Sequence, residues 1–191
     1  GDENDPQQIL DQVVGGVSFL AHSYRFPVIG FKSDVQAITP QAVKQYYRRY
    51  YIPNNAILVI VGDFETDRIM GRVKKLFGSI PRGEAPPPVV TVEPPQEGER
   101  RVVVKQEGSI PYVQVQFHIP PFRHPDSYPL AVMDMALTEG RSSRLYRALI
   151  ESQLATSVDS QLTQSLDPGW YSLYLTVRNG VGSARAEEAL L

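Results

Sequence analysis

The first segment of the chain carries apolar residues at helical spacing. Asp5 can cap a helix, and Pro6 suits the first helical position. Apolar side chains then recur three or four positions apart, at Ile9, Leu10, Val13, Val14, Val17 and Leu20. The pattern predicts one helix with an apolar face.

Residues 39–78 predict two more helices with a strand between them. The first of these helices begins like the one before it, with a capping residue, Thr39, followed by Pro40. One face of this helix carries Val43, Tyr46, Tyr47 and Tyr50. The continuous apolar run 56–61 is typical of a strand that is buried on both faces. A third helix then ends at Gly78, with four apolar residues expected inward: Ile69, Val73, Leu76 and Phe77.

The composition changes after residue 80. Between residues 81 and 98 there are six prolines and few apolar residues, and such a segment cannot build a core. We therefore expect a semi-rigid, solvated linker over residues 81–99, which divides the chain into residues 1–80 and residues 100–191.

The second half predicts strands first and helices afterwards. Residues 101–105 are rich in β-branched side chains, and residues 112–119 alternate strictly between polar and apolar side chains. Two helices follow, one ending at Gly140 and one capped by Ser142. Residues 155–162 and 170–177 then predict a hairpin, and a last helix begins at Ser183. The fold class predicted is α+β, in two halves.

Composition and charge exclude several classes of function. The net charge is -2 and the basic residues are dispersed, so there is no electrostatic footprint for nucleic acid or for an anionic membrane. No apolar run approaches the roughly 18 residues that a membrane span needs. The chain has no cysteine, which excludes disulfides, thiolate zinc sites and cysteine nucleophiles and leaves the cellular compartment open.

The three histidines do not form a metal motif. No two of them have the i, i+4 spacing that presents two imidazoles to one zinc ion. His22 is expected to be a hydrogen-bonded structural residue, His118 to face solvent, and His124 to lie in a loop. There is also no Gly-x-Ser-x-Gly elbow and no phosphate-binding glycine loop. From the residues alone we therefore assign no catalytic residue and no metal ligand.

Several longer motifs occur in a specific order. They are the stretches 22–30, 50–56, 59–63, 140–146, 154–158 and 167–169, which read HSYRFPVIG, YYIPNNA, VIVGD, GRSSRLY, LATSV and DPG. In this order and spacing the set resembles the pitrilysin/insulinase family of zinc metallopeptidases, in the bacterial branch that is similar to mitochondrial processing peptidase. The resemblance covers nearly the whole chain and points to the segment known as the family's inactive domain.

The resemblance implies a fold of two homologous domains of the α/β-sandwich type, each with an antiparallel or mixed sheet and helices on one face. Residues 1–80 would be the latter part of the first domain, residues 81–99 the linker, and residues 100–191 the opening part of the second. The family's H-x-x-E-H zinc motif is absent from this sequence. The third zinc ligand of the family, a glutamate, would fall a few residues before Gly1, with Glu3 the nearest carboxylate. Zinc is thus implied for the parent protein and not for this fragment.

The resemblance also implies a substrate-positioning pair, an arginine followed shortly by a tyrosine. These positions fall at Ile150 and Thr156, which cannot do that polar work. Arg147 lies one turn away, and we expect it to pair with Glu151 on the surface. The residues that bind substrate are therefore unknown from the sequence.

Three functions follow as hypotheses. The first is a non-catalytic segment of a zinc-dependent endopeptidase that cleaves peptides or unfolded polypeptides, with a homologous partner subunit supplying the missing pair. The second is a segment of a non-catalytic structural or presenting subunit. The third is an autonomous module that binds extended peptides at exposed strand edges. No nucleic acid or membrane partner is expected.

Overall fold

The computed structural model describes residues 5–191, which form a mixed α+β structure. Packing divides them into two compact units, one made of residues 5–28 together with residues 91–191, and one made of residues 29–90. Among the described residues, no helix is both long and apolar enough to cross a bilayer.

The first unit is built on a three-stranded antiparallel sheet in the order β1-β3-β2. The strands are β1 (Tyr112–Ile119), β2 (Ala155–Leu162) and β3 (Gly169–Val177). The predicted hairpin is confirmed, because β2 and β3 are adjacent and antiparallel. Gly169 begins β3, at a position where a side chain would collide with the hydroxyls of Thr163 and Ser165.

Five helical elements accompany the sheet, namely α1 (Pro6–Ser18), a short 3₁₀ helix (Ser23–Arg25), α5 (Ser127–Thr138), a π-helical segment (Tyr146–Glu151) and α6 (Ser183–Leu190). The core lies where the π-helical segment and α6 pack on one face of the sheet. Its most buried side chains are Leu149, Leu175, Val177 and Ala186. Truncating Leu175 to alanine would cost about 2–5 kcal/mol, as is usual for such a buried leucine.

The predicted first helix is confirmed as α1. The carboxylate of Asp5 accepts a hydrogen bond from the Gln7 N–H at 2.9 Å, so the cap works as expected. Val14 is buried, but Leu20 is 54% exposed because the helix ends at Ser18. The apolar pattern therefore ran two residues beyond the helix.

The second unit contains α2 (Lys32–Ala37), α3 (Pro40–Tyr50) and α4 (Thr66–Phe77). The predicted cap of α3 is confirmed, since the Thr39 hydroxyl accepts a hydrogen bond from the Ala42 N–H at 3.2 Å. The expectation that Leu76 and Phe77 point inward is wrong: they are 64% and 50% exposed. The described residues of this unit offer no sheet against which they could pack.

The predicted strand over residues 56–61 is not a strand in the structure. Its side chains are exposed, and Ile57 is 92% exposed. A strand needs a neighbour to accept its hydrogen bonds, and among residues 29–90 no segment forms one. The hydrophobicity of residues 56–61 is therefore not sufficient to form a β-strand.

The predicted strand over residues 101–105 is also absent. This segment is held by side chains instead of a ladder. The Arg100 guanidinium donates to the main-chain oxygens of Val17 and Ser18 at 3.0 and 2.7 Å. Arg101 forms an ion pair with Glu187 on α6.

Residues 81–99 contain no helix or strand, as their composition indicates. Within the second unit, Asn54 and Gly83 exchange two hydrogen bonds of 3.0 and 3.2 Å, and the side chain of Ile52 leaves no room for a Cβ at Gly83. The boundary between the two compact units falls at residues 90 and 91, inside this segment. The assignment of residues 1–80 and 100–191 to two homologous domains stays a prediction.

Candidate functional site

A cavity of about 350 Å³ lies beside the π-helical segment, entirely within the first unit. Its walls come from the end of α5, the turn that follows, the π-helical segment and the start of β2. The lining residues are Thr138, Gly140, Arg141, Tyr146, Ile150, Thr156, Ser157 and Val158.

The π-helical segment shapes one wall of the cavity. Its last turn is wide, because the Leu154 N–H donates to the Leu149 oxygen, five residues back, at 2.9 Å. The sequence predicted an ordinary helix capped by Ser142, but no side-chain hydrogen bond caps the π-helical segment. The widened turn buries Leu149 completely and leaves Ile150 at the cavity.

Two further backbone irregularities lie within a few residues of the cavity. Gln153 has a φ of 61°, which makes it the one non-glycine residue with positive φ among residues 5–191. Between Ala155 and Ser157 the pairing of β2 with β3 shifts, and Thr156 is the extra residue of this bulge. Left-handed residues, bulges and π-helical turns are all concentrated at functional sites, so three of them together point to this cavity.

The structure brings Ile150 and Thr156 together at the cavity wall. These are the positions at which the family resemblance implied an arginine and a tyrosine, and neither side chain carries charge. Arg147 does not line the cavity, and among the described residues no ion pair joins it to Glu151, so that expectation was wrong.

Sequence reasoning gave no site role to the other six lining residues, among them Arg141 and Tyr146. Both lie in the motif 140–146, in which Ser142 was expected to cap a helix. Gly140, which has a φ of 73°, turns the chain just before Arg141. That motif was the signal in the sequence that could have pointed to these two residues.

A polar cluster extends from Thr138, another residue of the cavity wall. One carboxylate oxygen of Asp134 accepts hydrogen bonds from the hydroxyls of Thr138, Ser160 and Tyr171, at 3.3, 2.5 and 3.0 Å. Burial and the hydrogen bond to Asp134 raise the pKa of Tyr171 well above its usual value, so this phenol remains a donor at neutral pH. The cluster joins α5 to β2 and β3.

His22 has a structural setting. It is 4% exposed, its Nδ1 accepts a hydrogen bond from the Tyr24 N–H at 3.3 Å, and its Nε2 lies 3.6 Å from the Asp167 carboxylate. Its ring packs edge-on against Tyr24 at 4.2 Å and near Phe19 at 6.2 Å. Nε2 is buried and makes no hydrogen bond with the described residues, so His22 is held through Nδ1 and its ring contacts.

The other two histidines also have local partners. His118 is exposed, as expected, and its ring stacks on Phe19 at 4.7 Å while its Nε2 lies 2.9 Å from the Ser18 oxygen. Nδ1 of His124 accepts a hydrogen bond from the Asp126 N–H at 3.2 Å, just before α5.

A zinc site needs several donor side chains that converge on one point. Among residues 5–191, no group of three or more histidine, cysteine, aspartate or glutamate side chains could hold a metal ion. The described residues therefore do not fit zinc. Glu3, the carboxylate nearest to the expected third ligand, lies outside the described residues.

Sequence comparison identifies the family. The profile described as the peptidase M16 inactive domain matches residues 37–191. The chain belongs to this family. The resemblance inferred from the motifs is thereby confirmed, and this M16 chain is an inactive domain segment in a family whose relatives are named zinc proteases.

Curated relatives match nearly the whole chain. Zinc protease PqqE of Helicobacter pylori is 31% identical over 189 residues, which are 97% of this chain and 42% of that protein. The uncharacterized zinc protease YmxG of Bacillus subtilis is 25% identical over 187 residues, which are 97% of this chain and 44% of that protein. The M16 chain thus spans less than half the length of these relatives.

Solved structures share the fold. A protease from Helicobacter pylori superposes with a TM-score of 0.91 at 27% identity, over 99% of this chain and 47% of that one. A peptidase M16 inactive domain from Pseudomonas fluorescens has a TM-score of 0.84 at 17% identity, over 98% of this chain and 46% of that one. At the lower identity the likeness shows the fold alone.

Proposed function

We propose that this chain is the non-catalytic part of a zinc-dependent endopeptidase that cleaves peptides or unfolded polypeptides. The observation that carries the proposal is the match of residues 37–191 to the M16 inactive domain, together with 31% identity to a protein named a zinc protease. In this proposal the parent holds zinc through an H-x-x-E-H motif upstream of this chain, and residues 1–80 and 100–191 belong to two homologous domains.

The cavity gives this segment a role in the proposed enzyme. It lies beside three backbone irregularities, and its wall includes the positions aligned with the family's substrate-positioning pair, Ile150 and Thr156. A concave, partly apolar site of this size suits one or two peptide side chains. We assign to the segment the task of holding peptide near a zinc ion that other residues of the parent bind.

The parent is also proposed to work with a homologous partner subunit. Ile150 presents a branched aliphatic side chain and Thr156 a hydroxyl, and neither can supply the charge of an arginine or the ring of a tyrosine. A partner subunit that carries both residues would restore the missing contacts to the substrate. In such a pair, one subunit would bind the zinc ion and the other would position the substrate.

A second candidate is a structural or presenting subunit without catalysis. The specific observation in its favour is that the fold also matches a chain of complex III2 from Candida albicans, with a TM-score of 0.74 at 16% identity over 93% of this chain. That likeness concerns the fold only. The candidate gains support if the upstream region of the parent lacks the histidines of the zinc motif.

The test uses the full-length parent, purified alone and with its partner. We expect an upstream H-x-x-E-H motif, one zinc ion per parent chain, and hydrolysis of an unstructured peptide that a chelator abolishes. The matched control replaces both motif histidines with alanine, which should remove zinc and activity together. A parent that binds no zinc would overturn the peptidase proposal. Full activity of the parent without a second subunit would overturn the proposal of a partner subunit.

A further inference from the structure

Among the described residues that line the cavity, Arg141 carries the only charge. The other seven are neutral, so this lining contains one cation and no anion. The Arg141 side chain is exposed and makes no hydrogen bond or ion pair with any residue from 5 to 191. A guanidinium carries five N–H donors in a planar fork that matches a carboxylate, and here all of them are available.

The size and the other walls of the cavity limit what the ligand can be. A volume of about 350 Å³ is close to the lower limit of ligand pockets, which is roughly 300 Å³. Ile150 and Val158 offer apolar surface, while Thr156 and Ser157 offer hydroxyls. A glutamate side chain has the matching pattern, because its methylene groups suit the apolar wall and its carboxylate suits Arg141.

The cavity lies beside a free strand edge. β2 pairs with β3 on one side, and within the described residues no strand pairs with its other side. Thr156, Ser157 and Val158 belong both to β2 and to the cavity wall. An extended peptide that adds to a strand edge presents alternate side chains to the surface beside it, so one of them would meet the cavity.

We propose that the cavity is a subsite for an acidic side chain of an extended peptide that lies along the free edge of β2. The proposal rests on the proposed function for the source of such peptides, since a peptidase subunit meets extended chains. The cavity proposal goes beyond the proposed function because it specifies which peptides the chain prefers to bind. Arg141 selects for a carboxylate, and the edge of β2 selects for an extended backbone.

The test measures binding of two labelled peptides to the 191-residue chain by fluorescence anisotropy at low salt. The peptides are extended, rich in β-branched residues, and identical except for one central position that is glutamate or glutamine. We expect the glutamate peptide to bind about fivefold more tightly, as suits one partly exposed ion pair. Arg141→Gln should abolish this difference.

Arg144→Gln is the matched control, because Arg144 is also exposed and lies three residues further on but does not line the cavity. This variant should keep the preference for glutamate. Equal binding of the two peptides, no binding of either, or an equal loss in both variants would each overturn the proposal. Unchanged thermal unfolding of Arg141→Gln verifies that the variant is folded. Zinc binding by the parent does not enter this assay, so either proposal can fail without the other.

Discussion

Glu93 fixes an extended segment to the end of α1. Its carboxylate accepts hydrogen bonds from the main-chain N–H groups of Leu20, Ala21 and His22, at 2.6, 2.8 and 2.9 Å. Desolvation by burial acts to raise the pKa of Glu93, but these three donors and the charge of His118 outweigh it and lower the pKa below its ordinary value of 4.5. The charged form therefore stabilises the folded state.

We predict that Glu93→Gln lowers the free energy of unfolding by about 1 kcal/mol near neutral pH, because the charge-assisted hydrogen bonds are weakened at a partly exposed site. A carboxylate with a lowered pKa contributes its stability above the unfolded-state pKa and loses it as the pH falls. The difference between the two proteins should therefore shrink below about pH 4.5 in urea unfolding.

Glu97→Gln serves as the control, since Glu97 is exposed in the same irregular segment. It should change stability by less than about 0.5 kcal/mol at any pH. A penalty for Glu93→Gln that stays constant down to acid pH would contradict the ionic origin of the contact.

Some contacts of single residues could be predicted from the sequence and others could not. The caps at Asp5 and Thr39 were predictable because a cap depends on groups two or three positions away. Glu93 was not, because its three donors are more than 70 residues distant in sequence. Arg141 escaped notice for the same reason, since its importance comes from residues of β2.

The link between the π-helical segment and β2 depends on Gln153. Its φ of 61° is a left-handed conformation that costs a non-glycine residue about 1–2 kcal/mol. Glycine would remove this strain but would add about 0.5–1 kcal/mol of backbone entropy to the unfolded chain. We therefore predict that Gln153→Gly raises the free energy of unfolding by about 0.5 kcal/mol, measured by urea denaturation.

Gln153→Ala separates backbone from side chain at this position. Alanine keeps the Cβ that strains the left-handed conformation, so it should bring no stabilisation. If alanine and glycine stabilise the protein equally, the backbone at residue 153 is not the source of the effect.

Elements with a signal in their own sequence, including the alternating strand β1, were predicted correctly, and two strand-like runs without a neighbouring strand were not. α1, α3, α4 and the β2–β3 hairpin have caps, turn residues or helical spacing within their own sequence. The runs 56–61 and 101–105 have strand-like composition, but a strand exists only where another strand accepts its hydrogen bonds. β propensity describes a fit to a half-buried sheet and cannot supply the sheet.

At the scale of the whole molecule, the motifs identified the family and the side-chain contacts supplied the site. Spacing of the motifs from residue 22 to residue 169 pointed to the zinc metallopeptidases, and the M16 profile confirms this. The cavity could not be predicted, because it combines the end of α5, a π-helical turn and a β-bulge. Ile150 and Thr156 were placed by resemblance, and only the structure shows them sharing a wall.

Residues 5–191 lack the donor set for zinc, and we propose that catalysis depends on other residues of the parent. The most direct measurement is metal analysis of the purified chain after incubation with zinc and removal of the excess, together with an assay for cleavage of an unstructured peptide. We expect no stoichiometric zinc and no hydrolysis. One equivalent of retained zinc with peptide cleavage by this chain alone would contradict it.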